Sequence, residues 1–149
     1  MAFANITAAW EAYPPKRVPV DTEWAQGTGV VKNAVTIYKG SAVVEEYSGS
    51  AHTGYLVYAD DGSASDTFVG VAAETVVGDG SKKIRVWKKG LFPFKKSSPS
   101  IADVGVTFYI DDASDPITVD SAGNLAIGVC EEVDSDAGVV WLRIDGFAK

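Results

Sequence analysis

Cysteine, histidine and methionine each occur once in the 149 residues, and that scarcity removes several kinds of chemistry at the outset. A lone thiol, Cys130, has no intramolecular disulfide partner and cannot build a thiolate metal cage. With Ile127 and Val129 beside it, it reads as a small buried hydrophobe. A lone imidazole, His52, would need carboxylates to complete a zinc site. None cluster near it in Ser50-Ala51-His52-Thr53-Gly54, so it reads as a loop residue without a chemical role. No apolar run approaches the ~20 residues of a membrane-spanning helix. Met1–Arg17 has neither the basic start nor the apolar stretch of a secretion signal, so the chain is expected to be made inside a cell with no secretion signal of its own. Positive charge is short as well. Thirteen basic residues face 20 acidic ones, a formal net charge of −7, which argues against general affinity for nucleic-acid phosphates.

Catalytic signatures are equally thin. No Gly-x-Ser-x-Gly elbow, phosphate-binding Gly-Lys-Ser/Thr loop or dinucleotide fingerprint occurs. Asp60-Asp61 and Asp111-Asp112-Asp115 offer oxygen ligands for calcium, but without EF-hand spacing. Aspartates in such settings start turns through their own backbone hydrogen bonds. The sequence therefore reads as neither an enzyme nor a cofactor or metal carrier.

What is present is strand. Apolar residues make up 46% of the chain and charged ones 22%, enough for one globular domain with its own core. From Ala34 onward, β-branched and aromatic runs recur: Val35–Tyr38, Tyr55–Tyr58, Thr67–Val71, Lys83–Trp87, Leu91–Phe94, Val106–Ile110, Ile117–Val119, Leu125–Val129 and Val139–Ile144. Gly/Asp/Ser turn segments separate them. Ile84-Arg85-Val86 and Leu142-Arg143-Ile144 alternate, so each arginine should face away from the core. One helical turn fits Ile101–Val104 after Ser100. The fold expected is all-β, a small barrel or jelly-roll-like sandwich, for residues 34–149.

Residues 1–33 differ in texture. Trp10, Tyr13, Pro14, Pro15, Pro19 and Trp24 stand among few periodic apolar positions, with room for a short helix over Ile6–Ala12. Prolines favour an extended path and cannot donate a ladder hydrogen bond. The segment reads as an extended N-terminal arm whose aromatics find their apolar partner elsewhere. Seven of the 13 basic residues crowd into Lys82–Lys96, which suits either an acidic partner or a solvated strand edge.

The body is written twice. Phe68-Val69-Gly70-Val71-Ala72-Ala73-Glu74 matches Ala126-Ile127-Gly128-Val129-Cys130-Glu131-Glu132 at a spacing of 128 − 70 = 58. At that spacing Arg85 falls on Arg143, while Gly54–Asp61 matches Gly105–Asp112. The half-repeats expected are about 54–92 and 105–146, packed face to face. A glycine inside each copy's second strand marks a bulge or a close backbone approach.

Asn33–Gly40, Phe68–Val76, Lys83–Phe92, Ala102–Tyr109, Ile127-Gly128-Val129 and Trp141-Leu142-Arg143-Ile144, in that order, resemble the cement (decoration) proteins of tailed-phage capsids. The resemblance runs from about Asn33 to Ile144 and leaves the arm unmatched. It implies a protein made in the host cytoplasm and bound on the outer surface of the virion capsid. There it would clamp neighbouring major capsid protein subunits as a homo-oligomer, a trimer favoured over a dimer, without catalysis, cofactor, nucleic acid or membrane. On this reading Trp10, Tyr13, Pro14, Pro15, Arg17 and Trp24 are capsid-binding candidates. Lys88, Lys89, Phe92, Lys95 and Lys96 are candidates for oligomer or capsid contact. A phage tail or fibre accessory domain that binds a receptor or carbohydrate is the alternative.

Overall fold

The structure, a computed structural model, describes residues 23–24, 29–59, 66–110, 117–118 and 125–145. These residues are all-β, with strands β1 (Glu23–Trp24), β2 (Thr36–Ile37), β3 (Ala42–Ser48), β4 (Ala51–Tyr58), β5 (Thr67–Ala72), β6 (Val76–Val77), β7 (Arg85–Trp87), β8 (Lys89–Lys95), β9 (Thr107–Ile110), β10 (Ile117–Thr118), β11 (Ala126–Asp134) and β12 (Val139–Asp145). The helical turn forms where expected, as a 3-10 turn over Ile101–Asp103. It is closed by the Ser100 N–H donating to Asp103 Oδ2 at 2.9 Å.

Two antiparallel five-stranded sheets carry the chain, ordered β1-β7-β5-β3-β4 and β10-β9-β11-β12-β8, with β2 and β6 as a separate pair. Read from β8, the second order is β8-β12-β11-β9-β10. Each sheet then places its five strands, in chain order, as first, fifth, fourth, second, third. The local detail repeats too. Val43 pairs with Gly70 and Val44 with Phe68, so Val69 bulges out. Phe108 pairs with Gly128 and Tyr109 with Ala126, so Ile127 bulges out. An ideal Cβ on Gly70 would lie 2.7 Å from the Trp87 carbonyl oxygen, and one on Gly128 would lie 2.6 Å from that of Arg143. Each bulge is therefore followed by the one residue type that lets the next strand approach.

The pairing corrects how the copies were matched. Val71 pairs with Trp87 and Val129 with Arg143, so Trp87, not Arg85, is the counterpart of Arg143. The spacing there is 143 − 87 = 56. A slip of two residues keeps every side chain on its own face, so alternation alone cannot reveal it. The counterpart of β9 is β3, a strand the sequence reading missed, and β4 answers to β10. The repeat therefore reaches back past Gly54 to β1, and its first strand lies in the stretch assigned to the arm. Val30 and Val31 also join the body. Leu56 N–H donates to Val30 O at 2.9 Å, Lys32 N–H to Leu56 O at 3.0 Å, and Val31 is fully buried.

The copies do not face each other. Val43, Val69, Ala72 and Val86 pack with Val31, Ile37 and Val76 on the outer side of the first sheet. Their counterparts Phe108, Ile127, Cys130 and Leu142 line the main core instead, together with Phe92 and Phe94. Across that core lie Ala42, Val44, Phe68 and Val71, from the other face of the first sheet. Successive strand side chains alternate faces, so the two sheets are stacked front to back. The front of the second packs on the back of the first, and the front of the first is covered by the β2–β6 pair.

Candidate interaction surface

The expected contact residues separate once the strands are placed. β8 alternates Leu91 and Pro93 against Phe92 and Phe94, and the two phenylalanines point into the main core. Phe92 is fully buried, with its ring centroid 6.2 Å from that of Trp87. This corrects its assignment as a contact residue, since its area is already removed from water inside the sandwich. Lys96 is also committed internally. Its Nζ lies 3.5 Å from Asp103 Oδ2, the atom that closes the 3-10 turn, and 3.2 Å from Ser97 O. Lys89 and Lys95 are exposed at the two ends of β8, and Lys88 is half-buried at the corner where the chain passes from the first sheet to the second. In the described topology β8 is an edge strand bonded to β12 alone. Pro93 and the flanking lysines fit an edge, where a missing donor costs nothing and charge discourages stray pairing.

Of the arm candidates, Trp24 pairs through its backbone with Arg85 in β1. Trp10, Tyr13, Pro14, Pro15 and Arg17 lie outside the described residues, as do the Ile6–Ala12 stretch and the acidic groups at 60–61 and 111–115.

Because Phe92 and Phe94 face inward, the outer face of the second sheet carries Lys89, Leu91, Pro93 and Lys95 from β8, with Val139, Trp141 and Arg143 from β12. Leu91, Val139 and Trp141 form a cluster of their own with Ala137. Farther across lie Val129 and Tyr109, both half-buried, and the exposed Thr107. Arg143 Nη1 donates to Glu131 Oε1 at 3.0 Å. Thr107, Tyr109 and Val129 were not singled out in the sequence, while Arg143 was expected to face away from the core and does. The signal that finds the three is the repeat in its corrected register, where they stand opposite Ala42, Val44 and Val71.

Among the described residues, His52, Asp79, Lys32 and Glu46 are engaged with neighbours and Cys130 is buried. His52 lies on β4, not in a loop, because a two-residue turn at Gly49-Ser50 lets Ala51 pair with Ser48. Its ring meets Tyr47 edge-on at 5.0 Å, and Nδ1 is 3.7 Å from Glu45 Oε1. Asp79 accepts the Ser81 and Lys82 N–H groups at 2.8 Å each, and those bonds hold its carboxyl below the usual range. This is the chemistry of a turn, closed on the Asp79 side chain. A shallow depression of about 190 Å³, lined by Lys32, Val35, Glu46, Val57 and Tyr58, is spanned by the Lys32–Glu46 ion pair at 2.9 Å. Among the described residues no group of three or more His, Cys, Asp or Glu is placed to hold a metal ion.

Cys130 is buried, as the sequence suggested. Burial first, and then the Asp103 carboxylate, push its thiol above the ordinary value of 9.0. The fold therefore prefers the neutral thiol, and stability from this group is complete below the unfolded-state pKa. It is lost as pH rises from there towards the folded-state value. Unfolding titrations of the wild type are expected to be flat in this contribution up to about pH 8 and to fall above it. Cys130→Ala should remove that alkaline slope, and an unchanged slope would refute the assignment.

No protein-family model matches the chain, and no curated protein sequence matches it. A solved structure does. The chain is similar to one in a structure titled "The capsid of Myoviridae Phage XM1", with a TM-score of 0.55 and 19% identity, over 90% of this chain and 91% of that one. At that identity the likeness shows a shared fold.

Proposed function

We propose that this protein is a structural component of a tailed-phage head that binds the outside of the shell and clamps neighbouring major capsid protein subunits. The observation that carries the reading is the fold likeness to a chain of a phage capsid, which runs almost end to end in both chains. Two features support it. The sandwich is built from a doubled unit in which, among the described residues, Cys130 is buried, Asp79 closes a turn, and His52, Lys32 and Glu46 lie against neighbouring side chains. The stretch before β1 also concentrates aromatic and proline residues that the repeat does not require.

In this reading Trp10, Tyr13, Pro14, Pro15 and Arg17 lie along the shell. Aromatic side chains remove much apolar area from water at little entropic cost, and prolines keep the path extended. Repetition over many equivalent sites turns modest single-site affinity into a bias towards the assembled shell. The protein acts as a homo-oligomer, a trimer in preference to a dimer, which native mass would establish.

Removing residues 1–22 leaves β1 in place and tests the arm. Occupancy on purified heads that lack the protein is expected to fall by at least about tenfold, the loss of one buried aromatic anchor or more. Undiminished occupancy would sink the arm's role. Copy number per virion separates this reading from a tail or fibre accessory domain: on the order of hundreds against a handful, as repeated shell sites demand.

A further inference from the structure

We propose that the turn between β8 and β9 is a docking knob, with Ile101 at its tip seating in an uncharged apolar socket on the major capsid protein subunit. This rests on the capsid reading above and names the part of the body that makes the contact.

The first reason comes from comparing the copies. In the first copy the connection from β1 to β3 covers its own sheet: Val31 and Ile37, from that stretch, are fully buried on the sheet's outer side. The second copy needs no such cover, because the matching face of its sheet already lies against the first sheet in the main core. Its connection, from β8 to β9, folds instead into the 3-10 turn Ile101–Asp103. There Ile101 is 83% exposed and Val104, three residues on, is 41% exposed.

The second reason is how firmly the turn is held. Scattered apolar side chains on a surface need no explanation, but this one stands on a braced loop. Pro99 is buried, and its carbonyl accepts the Ser135 hydroxyl at 3.1 Å. Lys96 and the Ser100 N–H both engage the Asp103 carboxylate. Beyond the turn, Gly105 N–H donates to Cys130 O at 2.8 Å, and Cys130 N–H to Val106 O at 2.9 Å. Ser98 takes a φ of +49° directly before Pro99, where a side-chain-bearing residue is strained and the proline favours extended backbone. The fold thus tolerates local strain while holding an isoleucine in water in one orientation, and a pre-ordered anchor loses little entropy on binding.

The turn also indicates its partner. Residues 97–102 carry no charge, and the flanking Lys96 and Asp103 pair with each other at 3.5 Å. On a chain of net −7, this neutral patch suits an apolar, uncharged surface. Two aliphatic side chains fall far short of the roughly 800 Å² per partner that stable self-association needs. The knob therefore acts as a second point of attachment beside the arm, and two linked contacts on one shell strengthen each other through effective concentration.

The test uses full-length variants and purified heads lacking the protein. Affinity is measured at low and high salt, with native mass and unfolding midpoint recorded for each variant. Ile101→Ser is expected to lose about tenfold in affinity, equally at both salts, because the contact it removes is apolar. Ile101→Val should recover most of that loss. Val77→Ser removes another outward apolar residue, from β6 and 59% exposed, and should stay within about twofold. The midpoint of Ile101→Ser should lie within about 2 °C of wild type. Wild-type binding by Ile101→Ser, an equal loss in Val77→Ser, or a midpoint that falls with the affinity would each overturn the proposal. So would a changed native mass with intact head binding, which would give the knob to a second copy. If the wild type itself does not bind heads, the capsid reading fails and the socket with it, a result distinct from all of these.

Discussion

Gly128→Ala is expected to lower stability by about 2–3 kcal/mol, and Gly70→Ala by more, about 3–5 kcal/mol. At Gly128 the added methyl would stand 2.6 Å from the Arg143 carbonyl oxygen and 3.3 Å from its carbon. Those atoms belong to the paired backbone of β12, so they cannot swing aside as the tip of a side chain would. Relief requires opening the β11–β12 ladder at the end far from its hairpin, where Val129 pairs with Arg143. Gly70 adds a second cost. Its φ of +140° lies in a region that side-chain-bearing residues rarely adopt, and its methyl would also press on the Val86 side chain at 3.1 and 3.2 Å. Gly49→Ala is the control, because its φ is +65° but nothing lies within 4 Å of the added carbon. It should cost about 1 kcal/mol from backbone conformation alone. In thermal unfolding a chain of this size shifts by about 2–4 °C per kcal/mol, so the three variants should rank Gly70, Gly128, Gly49. Midpoints for Gly70→Ala and Gly128→Ala within about 2 °C of wild type would show that the strands are not in this close approach.

Those two glycines are where sequence and structure agree most closely, and the reason is physical. A glycine after a bulged apolar residue has a job no other residue can do, so it stands out even in one sequence. The same cannot be said of β3. Ala42-Val43-Val44-Glu45-Glu46-Tyr47-Ser48 puts two carboxylates side by side in mid-strand, and its apolar residues run consecutively because both faces of that part are buried. Val43 packs in one cluster and Ala42 and Val44 in the other, so the period-two signal is erased. β6 is two residues long and invisible to any periodicity. Losing β3 left β4 as the nearest match for β9, which moved the boundary of the first half-repeat. The two-residue slip at β7 had the same root, since alternation reports face and not position along the strand. Front-to-back stacking was out of reach because burial on both faces of the first sheet looks, in sequence, like burial on one face of either. The surface was legible only in part: Lys89 and Lys95 showed as members of a basic cluster, but which lysines face outward depends on the phase of β8.

That phase gives the remaining large effect. Phe92→Ala is expected to cost about 3–5 kcal/mol, the usual range for emptying a buried phenylalanine site. Phe92 is fully buried, pairs across the sheet with Leu142 and lies beside Trp87, whose indole packs against the same core. A cavity there removes contacts on both sheets at once, and the β8–β12 ladder leaves the backbone little freedom to collapse into it. Phe92→Leu keeps most of the volume and should cost less, about 1–1.5 kcal/mol. The signature distinguishes core from contact. Phe92→Ala should shift the unfolding midpoint by some 6 °C or more, while the fraction that remains folded binds its partner as the wild type does. Lys89→Glu/Lys95→Glu should leave the midpoint nearly unmoved, because exposed charges contribute little to folding. If instead Phe92→Ala kept its midpoint and lost only binding, the ring would have to face the surface. The alternation of β8 would then be inverted, and the exposed Lys89 and Lys95 would have to enter the core.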